Sequence, residues 1–336
     1  MAPDPLRGPW LVAGGWWPVA GGTWLVARGP WPLSTDQATR PPFLSPSLSL
    51  HHGPMTASPQ PSSDASSQRP SLTPSDAASP TPSHRPSHAT RALSFNSAAA
   101  QYAANRPSYP TALLETIEDL AGRPLAGARV ADVGAGTGMA TALLHARGAD
   151  VIAVEPGDGM AAQFRRGLPG VPLVRGDGNR LPLATASLDF LTYAQSWHWT
   201  DPAHSVPEAL RVLRPGGALA LWWNTGALDV PWLAEAARRI DRRFGESIPA
   251  HTRNVDVRVV DPTGRLGLTR REVRWSRRVP VDTHLANLGS HSLFLVLGEE
   301  ASTAFLAEER DHLMRVFPDG HVEEVYDVIL LLATRA

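Results

Sequence analysis

The sequence predicts an α/β protein with a doubly wound parallel sheet, and three observations indicate this fold. Short apolar strands alternate with amphipathic helices from about residue 91 to the C-terminus. The strands are nearly continuous apolar runs, which is typical of a sheet with helices on both faces. A glycine-rich loop, Gly134–Gly138, lies between the first strand and a helix. Loops at this position bind ligands in open α/β sheets.

Residues 1–91 differ in composition from the rest of the chain. Residues 1–90 contain 17 of the 32 prolines, many serines and no glutamate. Such a segment has too little regular apolar pattern to offset the entropy of ordering, so we predict a disordered Pro/Ser-rich extension. Prolines and glycines interrupt its uncharged N-terminal stretch, which argues against a signal peptide or a membrane span. We interpret residues 1–54 as a non-native extension with Met55 as the native start, and a real targeting function is the alternative. Residues 92–336 are expected to form the folded domain.

The periodicity of apolar residues predicts seven strands with helices between them. Strands are predicted at residues 129–133, 150–155, 171–175, 187–194, 218–224, 272–279 and 321–333. Helices are predicted at residues 111–121, 137–147, 158–166, 202–213, 231–244, 281–288 and 299–316, after an earlier helix that begins near Phe95 and ends near Asn105.

Composition excludes several classes of site. The net charge is −1, so no global field favours nucleic acid or an anionic membrane, and we expect neither as a partner. The chain has no cysteine, which excludes disulfides, thiolate zinc sites and cysteine nucleophiles, and we expect no bound metal. It has no lysine, so the glycine loop is not a phosphate-binding P-loop. We expect a cytoplasmic protein.

The glycine loop also departs from the dinucleotide-binding fingerprint. That fingerprint needs a third glycine where this chain has Met139, and what remains is Gly-x-Gly-x-Gly preceded by Asp132. Acidic residues stand at the ends of the next strands: Glu155 closes the second, and Asp177 follows the third. Because the carboxyl ends of parallel strands meet at one edge of the sheet, we expect these residues to converge on one cleft.

Asp132 to Gly138 resembles the first motif of class I S-adenosylmethionine-dependent methyltransferases. The resemblance extends over residues 93–336 and is carried by further blocks in the same order: Glu155, residues 175–182, residues 187–190, residues 213–217 and the upstream Phe95, Tyr102 and 106–110. The upstream block is similar to the N-terminal cap of the methyltransferase type 11 subgroup, and residues 195–199 resemble its trans-aconitate methyltransferase-like members. The resemblance implies a Rossmann-like, mostly parallel sheet of seven strands whose last strand is antiparallel.

The same resemblance implies roles for individual residues. S-adenosylmethionine is the expected cofactor, with Glu155 on the ribose hydroxyls and Asp177 on the adenine amine. The expected cofactor-binding residues are Asp132, Gly134, Ala135, Gly136, Gly138, Glu155, Asp177, Gly178 and Gln195. Residues expected to contact the substrate or to cap the cofactor are Tyr102, Arg106, Tyr109, Trp197 and Trp199. Packing alone is an alternative explanation for each residue of this second group.

We therefore expect methyl transfer to a small-molecule acceptor, and the trans-aconitate resemblance suggests a carboxylate. A general base is needed only if the acceptor loses a proton, and His198 is the candidate. Two other classes of protein stay open as alternatives at this point. One is an NAD(P)-binding Rossmann oxidoreductase, and the other is a non-catalytic interaction protein with a relic cofactor pocket.

Overall fold

A computed structural model describes residues 99–245 and 256–336 of the chain. The extension predicted for residues 1–91 and the helix start near Phe95 lie outside these residues. The helices are α1 (Ala99–Asn105), α2 (Thr111–Ala121), α3 (Met139–Ala146), α4 (Asp158–Gly167), α5 (Pro202–Val212), α6 (Pro231–Phe244), α7 (Val257–Val260), α8 (Val281–Gly289), α9 (Ser292–Leu297) and α10 (Glu299–Val316). The strands are β1 (Arg129–Val133), β2 (Asp150–Val154), β3 (Leu173–Val174), β4 (Leu188–Ala194), β5 (Leu213–Gly226), β6 (Thr269–Pro280) and β7 (His321–Thr334).

The seven strands form one sheet in the order β3-β2-β1-β4-β5-β7-β6. Strands β1 to β5 pair in parallel, and the last strand, β7, is antiparallel to both β5 and β6. The predicted fold class is therefore confirmed. The parallel strands all end at one edge of the sheet, and the glycine loop follows β1 at this edge.

Element boundaries differ from the prediction at a few places with identifiable causes. Strand β3 has only two residues, because Pro172 has no backbone N–H to donate to a neighbouring strand. Strand β5 begins at Leu213, five residues before the predicted start at residue 218. Leu213 already pairs with Leu188, and after a shift in register Ala218 pairs with Phe190. Helices α7 and α9 have four and six residues, which is too short for an apolar periodicity to reveal.

The two faces of the sheet bury separate apolar cores. Consecutive residues of a strand point to opposite faces, so Trp222 and Trp223 of β5 mark the two sides. Trp222 packs with Tyr109, Leu113 and other residues of α2 to α4, and we call this side the Trp222 face. Trp223 packs with Trp197 and residues of α5, and we call this side the Trp223 face. Within residues 99–245 and 256–336, no helix combines the length and hydrophobicity that a membrane span requires.

Candidate functional site

Three glycines shape the loop after β1, but they do so for different reasons. All three have left-handed φ angles, 66° at Gly134, 58° at Gly136 and 94° at Gly138. A Cβ on Gly134 would lie 2.5 Å from Cβ of Ser196, and one on Gly138 would lie 2.7 Å from Cδ1 of Leu168. A Cβ on Gly136 would meet nothing closer than a carbonyl oxygen at 4.0 Å. Packing thus requires Gly134 and Gly138, whereas Gly136 borders open space.

Glu155, directly after β2, holds the glycine loop in place. The residue is only 6% exposed, and its two carboxylate oxygens accept hydrogen bonds from the N–H of Gly136 (2.8 Å) and of Gly157 (2.7 Å). Burial raises the pKa of Glu155, and the two amides oppose that rise. A carboxylate accepts about four hydrogen bonds, so acceptor capacity remains for ligand hydroxyls. The adjacent Ala135 N–H donates to the carbonyl of Val154 at 3.2 Å.

Asp132 lies at the end of β1, fully buried, with neutral partners. Its carboxylate accepts from the hydroxyls of Thr141 (2.6 Å) and Thr192 (3.0 Å). Burial raises the pKa of Asp132 to about 6, against the effect of these two hydroxyls, and the charge of Glu155 adds to the rise. Among the described residues, no arginine or histidine forms an ion pair with it. A buried carboxylate without a counter-charge is suited to a cationic group of a ligand.

Asp177 and Gly178 form a turn after β3. Asp177 is exposed, and its Oδ1 accepts from the N–H of Asn179 at 2.7 Å, as in an Asx turn. Gly178 is buried, and a Cβ there would lie 2.7 Å from Cγ2 of Thr200. The hydroxyl of Tyr193 donates to the Gly178 carbonyl at 3.4 Å. Packing therefore accounts for Gly178, and the adenine contacts of this turn stay a prediction.

Gln195, directly after β4, has an uncommon backbone conformation. Its φ is 60°, which non-glycine residues rarely adopt. The conformation is held by the Gln195 N–H, which donates to the carbonyl of Trp222 (2.9 Å), and by the side-chain amide, which donates to the carbonyl of Asn224 (3.3 Å). Backbone strain of this kind is concentrated at ligand sites. No sequence signal indicates it.

The Trp197–Trp199 segment is a short 3₁₀ turn on the Trp223 face. Trp197 is 2% exposed, and its indole N–H donates to the carbonyl of Val260 at 3.1 Å, so its position is that of a core residue. His198 is exposed, and its Nδ1 accepts from the indole N–H of Trp223 at 3.2 Å. The Trp199 ring lies 4.6 Å from the His198 ring. The packing alternative is therefore favoured for Trp197.

Tyr109 belongs to the Trp222 face. It is buried, and its ring meets Trp222 edge-on at 5.8 Å. Burial raises the pKa of Tyr109; the neighbouring Tyr102 and the charge of Asp132 raise it further, and that of Arg106 lowers it. Tyr109 thus anchors the α1–α2 connection to the core of the Trp222 face.

Arg106, in the same connection, is held by residues that follow α8. Its guanidinium donates to Nε2 of His291 (3.3 Å) and to the carbonyl of Ser290 (3.2 Å), and lies 4.7 Å above the Tyr102 ring. Burial, followed by the charge of Arg106, holds the pKa of His291 well below its usual range, so the imidazole is a neutral acceptor. Among the described residues, Arg106 has no carboxylate partner, and its Nε is buried without a hydrogen-bond partner.

Sequence reasoning missed an aromatic pair at the same edge of the sheet. Trp275 of β6 and Tyr326 of β7 are stacked, with ring centroids 5.2 Å apart and an interplanar angle of 23°. The Trp275 indole donates to Oδ1 of Asn224 at 3.0 Å. The alternation of β6 was visible in the sequence, but the partner strand and the register were not.

Comparison with known proteins identifies the family. A family model for the methyltransferase domain matches residues 131–221. An uncharacterized methyltransferase of Mycobacterium tuberculosis (strain ATCC 25618 / H37Rv) is 36% identical over 190 residues, which are 56% of this chain and 75% of that protein. The chain belongs to the class I S-adenosylmethionine-dependent methyltransferases. A second relative of this methyltransferase, the malonyl-[acyl-carrier protein] O-methyltransferase of Methylococcus capsulatus, is 37% identical over 136 residues, 39% of this chain and 48% of that protein.

A solved structure supports the fold of the methyltransferase. A candidate type II methyltransferase from Anaeromyxobacter dehalogenans superimposes with a TM-score of 0.52 at 24% identity, covering 68% of this chain and 97% of that one. The similarity concerns the fold alone. Membership among the trans-aconitate methyltransferase-like proteins stays a prediction.

Proposed function

We propose that this methyltransferase transfers the methyl group of S-adenosylmethionine to a carboxylate of a small molecule. The observation that carries the proposal is the open space at Gly136, with Glu155 hydrogen-bonded to its amide and the buried Asp132 beside it. Because no atom lies closer than 4.0 Å to a Cβ built on Gly136, a ligand can approach the backbone closely there. The two carboxylates suit a ligand with hydroxyls and a positive charge.

The donor set fits S-adenosylmethionine in three respects. The remaining acceptor capacity of Glu155 suits the two ribose hydroxyls, and Asp132 suits the ammonium group, directly or through water. The hydroxyl of Thr137 is buried without a hydrogen-bond partner among the described residues, and it can donate to the carboxylate of the amino-acid moiety. When bound, the cofactor supplies an activated methyl group, so the protein's contribution is mainly orientation of the two reactants and exclusion of water. Asp177, Gly178 and Gln195 are proposed to line the adenosine side.

Arg106 is proposed to bind the acceptor carboxylate. The side chain is a fixed cation, and its Nε has no partner among the described residues, so the guanidinium can donate to an anion. Tyr102 and Tyr109 support the guanidinium and the connection that carries it. One relative is named for O-methylation of a malonyl group, and a malonyl group has a free carboxylate.

His198 is proposed as the base only if the acceptor is protonated. A carboxylate is already ionised at neutral pH, so its methylation releases no proton. His198 Nδ1 accepts from Trp223, and a proton taken up at this atom would break that hydrogen bond. Replacement of His198 by alanine therefore separates the two cases: transfer to a carboxylate is retained, whereas transfer to a hydroxyl or amine falls about 100-fold.

Calorimetry tests the cofactor assignment. We expect S-adenosylmethionine and S-adenosylhomocysteine to bind and NADH not to bind; binding of NADH alone would support the oxidoreductase alternative. Gly136→Leu should abolish binding, because the leucine side chain enters the open space. Gly122→Leu is the matched control, since Gly122 has a similar φ of 62°, equally open surroundings and a position at the end of α2. Equal affinity of Gly136→Leu and Gly122→Leu for S-adenosylmethionine would refute the assignment of the cofactor site to the glycine loop.

Labelled-methyl transfer to a panel of small acids, alcohols and amines tests the acceptor class. Transfer to acids in the wild-type enzyme, retained in His198→Ala, supports a carboxylate acceptor. Transfer confined to alcohols or amines refutes it while leaving the cofactor assignment intact. The absence of any transfer from a protein that binds both adenosyl ligands would favour the non-catalytic alternative.

A further inference from the structure

Gly226 leaves an unfilled position on the Trp222 face of the sheet. Trp222, Asn224 and Gly226 alternate along β5, so their Cα–Cβ directions point to the same face. A Cβ on Gly226 would meet no atom within 4 Å, and the residue has no left-handed φ that would demand glycine. Neither backbone conformation nor packing therefore explains the glycine. The space is at the end of β5, on the edge where the glycine loop also lies.

Two aromatic side chains border this space. Gly226 is directly opposite Tyr326 in the β5–β7 pair, and Tyr326 is directly opposite Trp275 in the β7–β6 pair, so the three share one row of one face. Both rings are partly exposed. The Trp275 indole is fixed by Asn224, and the Tyr326 hydroxyl accepts from the side-chain amide of Asn287 at 3.3 Å. The rings thus form a wall whose orientation is fixed by hydrogen bonds.

Arg106 lies close to the same wall. Asn224, which holds Trp275, also donates to the carbonyl of Ser108 at 3.4 Å, two residues along the chain from Arg106. Burial raises the pKa of Tyr326, and the charge of Arg106 is among the weaker influences that oppose this rise. A cation therefore lies near the aromatic wall that borders the space at Gly226.

We propose that the acceptor is an aromatic carboxylic acid whose ring binds over Gly226 against Trp275 and Tyr326 while its carboxylate binds Arg106. The inference rests on the proposed function. Stacking and edge-on contacts with Trp275 and Tyr326 favour a flat π-system over a saturated ring of equal size. In the transfer, a carboxylate oxygen lone pair forms the new O–CH₃ bond, the C–S bond of the donor breaks toward sulfur, and no proton is released.

Filling the space at Gly226 tests the position of the ring. We expect Gly226→Leu to lower kcat/KM for benzoate and cinnamate at least tenfold without changing the affinity for S-adenosylmethionine. Gly170→Leu is the matched control, since Gly170 also has open surroundings and no left-handed φ but precedes β3. It should keep wild-type kinetics. Unchanged kinetics in Gly226→Leu would overturn the inference.

The aromatic wall is tested by the ratio of two substrates. The wild-type enzyme should prefer benzoate to cyclohexanecarboxylate at least tenfold in kcat/KM. Trp275→Leu should bring this ratio close to one, and Trp275→Phe should restore most of it. Equal use of the two acids by the wild-type enzyme, or transfer to aliphatic acids alone, overturns the inference and leaves the proposed function standing. No transfer to any acid, from an enzyme that binds S-adenosylmethionine, overturns both the inference and the carboxylate proposal, whereas loss of cofactor binding would refute the proposed function itself.

Discussion

Asp132, in the glycine-loop region, and Glu324, in the antiparallel pair of β6 and β7 (the β6–β7 ribbon), are both buried carboxylates. They differ in whether a cation is among their hydrogen-bond donors. Asp132 accepts from the hydroxyls of Thr141 and Thr192 and from the backbone N–H of Thr141, all uncharged donors, and burial raises its pKa to about 6. Glu324 is 1% exposed and accepts from Nε of Arg277 (2.5 Å) and from Nδ1 of His284 (2.7 Å). Burial would raise its pKa as well, but His284 and Arg277 lower it to about 2.

The contrast separates a structural charge from one that is available to a ligand. The Glu324 charge is compensated by Arg277 of β6, and His284 of α8 adds a hydrogen bond. Arg277 also donates to the carbonyl of Asn105, which ties α1 to the sheet. The loop region leaves Asp132 without a cation among the described residues. Because an uncompensated buried charge costs stability, its retention is expected where a ligand supplies the opposite charge.

Removal of the Glu324 charge should have the largest effect. Glu324→Ala leaves the partly exposed Arg277 and the buried His284 without their carboxylate. Removing one partner of a buried ion pair costs about 3–5 kcal/mol of unfolding free energy. Denaturant unfolding at pH 7 measures this loss. Glu323→Ala is the control, because Glu323 is the exposed neighbour on β7 and accepts from the hydroxyl of Ser276. Equal stability of the two variants would contradict the structural role of Glu324.

Removal of the Asp132 charge should act in the opposite direction on stability. The folded pKa of about 6 lies above the unfolded value of 3.8, so ionised Asp132 destabilises the fold above pH 6. Asp132→Asn should therefore raise the unfolding free energy at pH 7.5 by about 1–3 kcal/mol. The same variant should bind S-adenosylmethionine about 100-fold more weakly, roughly 2.7 kcal/mol.

Denaturant unfolding and calorimetry on one protein sample check both parts of this prediction. Asp119→Asn, at an exposed carboxylate of α2, is the control and should change neither quantity. A destabilised Asp132→Asn variant that kept its affinity would place Asp132 in the same structural class as Glu324.

The pH dependence of S-adenosylmethionine binding also distinguishes Asp132 from Glu324. Affinity for S-adenosylmethionine should fall as the pH drops from 7 through about 6, because protonation removes the Asp132 charge. The pKa of Glu155 is also raised, so Asp132→Asn should retain a shallower dependence. Calorimetry from pH 5 to pH 8 measures both curves. Glu324 stays ionised over this range, so a wild-type profile unchanged by Asp132→Asn would contradict the assignment.

The two regions also differ in how far the sequence predicted them. The loop region depends on contacts between residues near each other along β1, β2 and the intervening helix, and Asp132, Gly136 and Glu155 were all identified from their order in the chain. Gly138 has a packing reason that the sequence did not indicate, because its proximity to Phe164 and Leu168 arises only when the start of α3 meets the end of α4. Its part in cofactor binding stays a prediction.

The side-chain contacts of the β6–β7 ribbon could not be predicted from the sequence in the same way. Trp275 meets Tyr326, and Arg277 meets Glu324, only because two strands more than forty residues apart pair in one antiparallel register. A shift of that register by one residue would move Arg277 to the other face. Alternation within β6 shows that the strand is amphipathic, but it does not identify the opposite residue. The aromatic wall proposed to bind the acceptor at Trp275 therefore required the structure, whereas the loop proposed to bind the cofactor did not.

The smallest effect on stability is expected at an exposed arginine–carboxylate ion pair. Arg310 donates from Nε to Oδ1 of Asp282 at 2.9 Å, but the two side chains are 50% and 72% exposed. Water screens both charges and the pair loses side-chain entropy when it forms, so Arg310→Gln should leave the denaturation midpoint unchanged within error. In 1 M salt, the denaturation midpoints of Arg310→Gln and the wild type should likewise be equal. A loss comparable with that of Glu324→Ala would mean that proximity of the charges, and not their burial, determines what a carboxylate contributes in this fold.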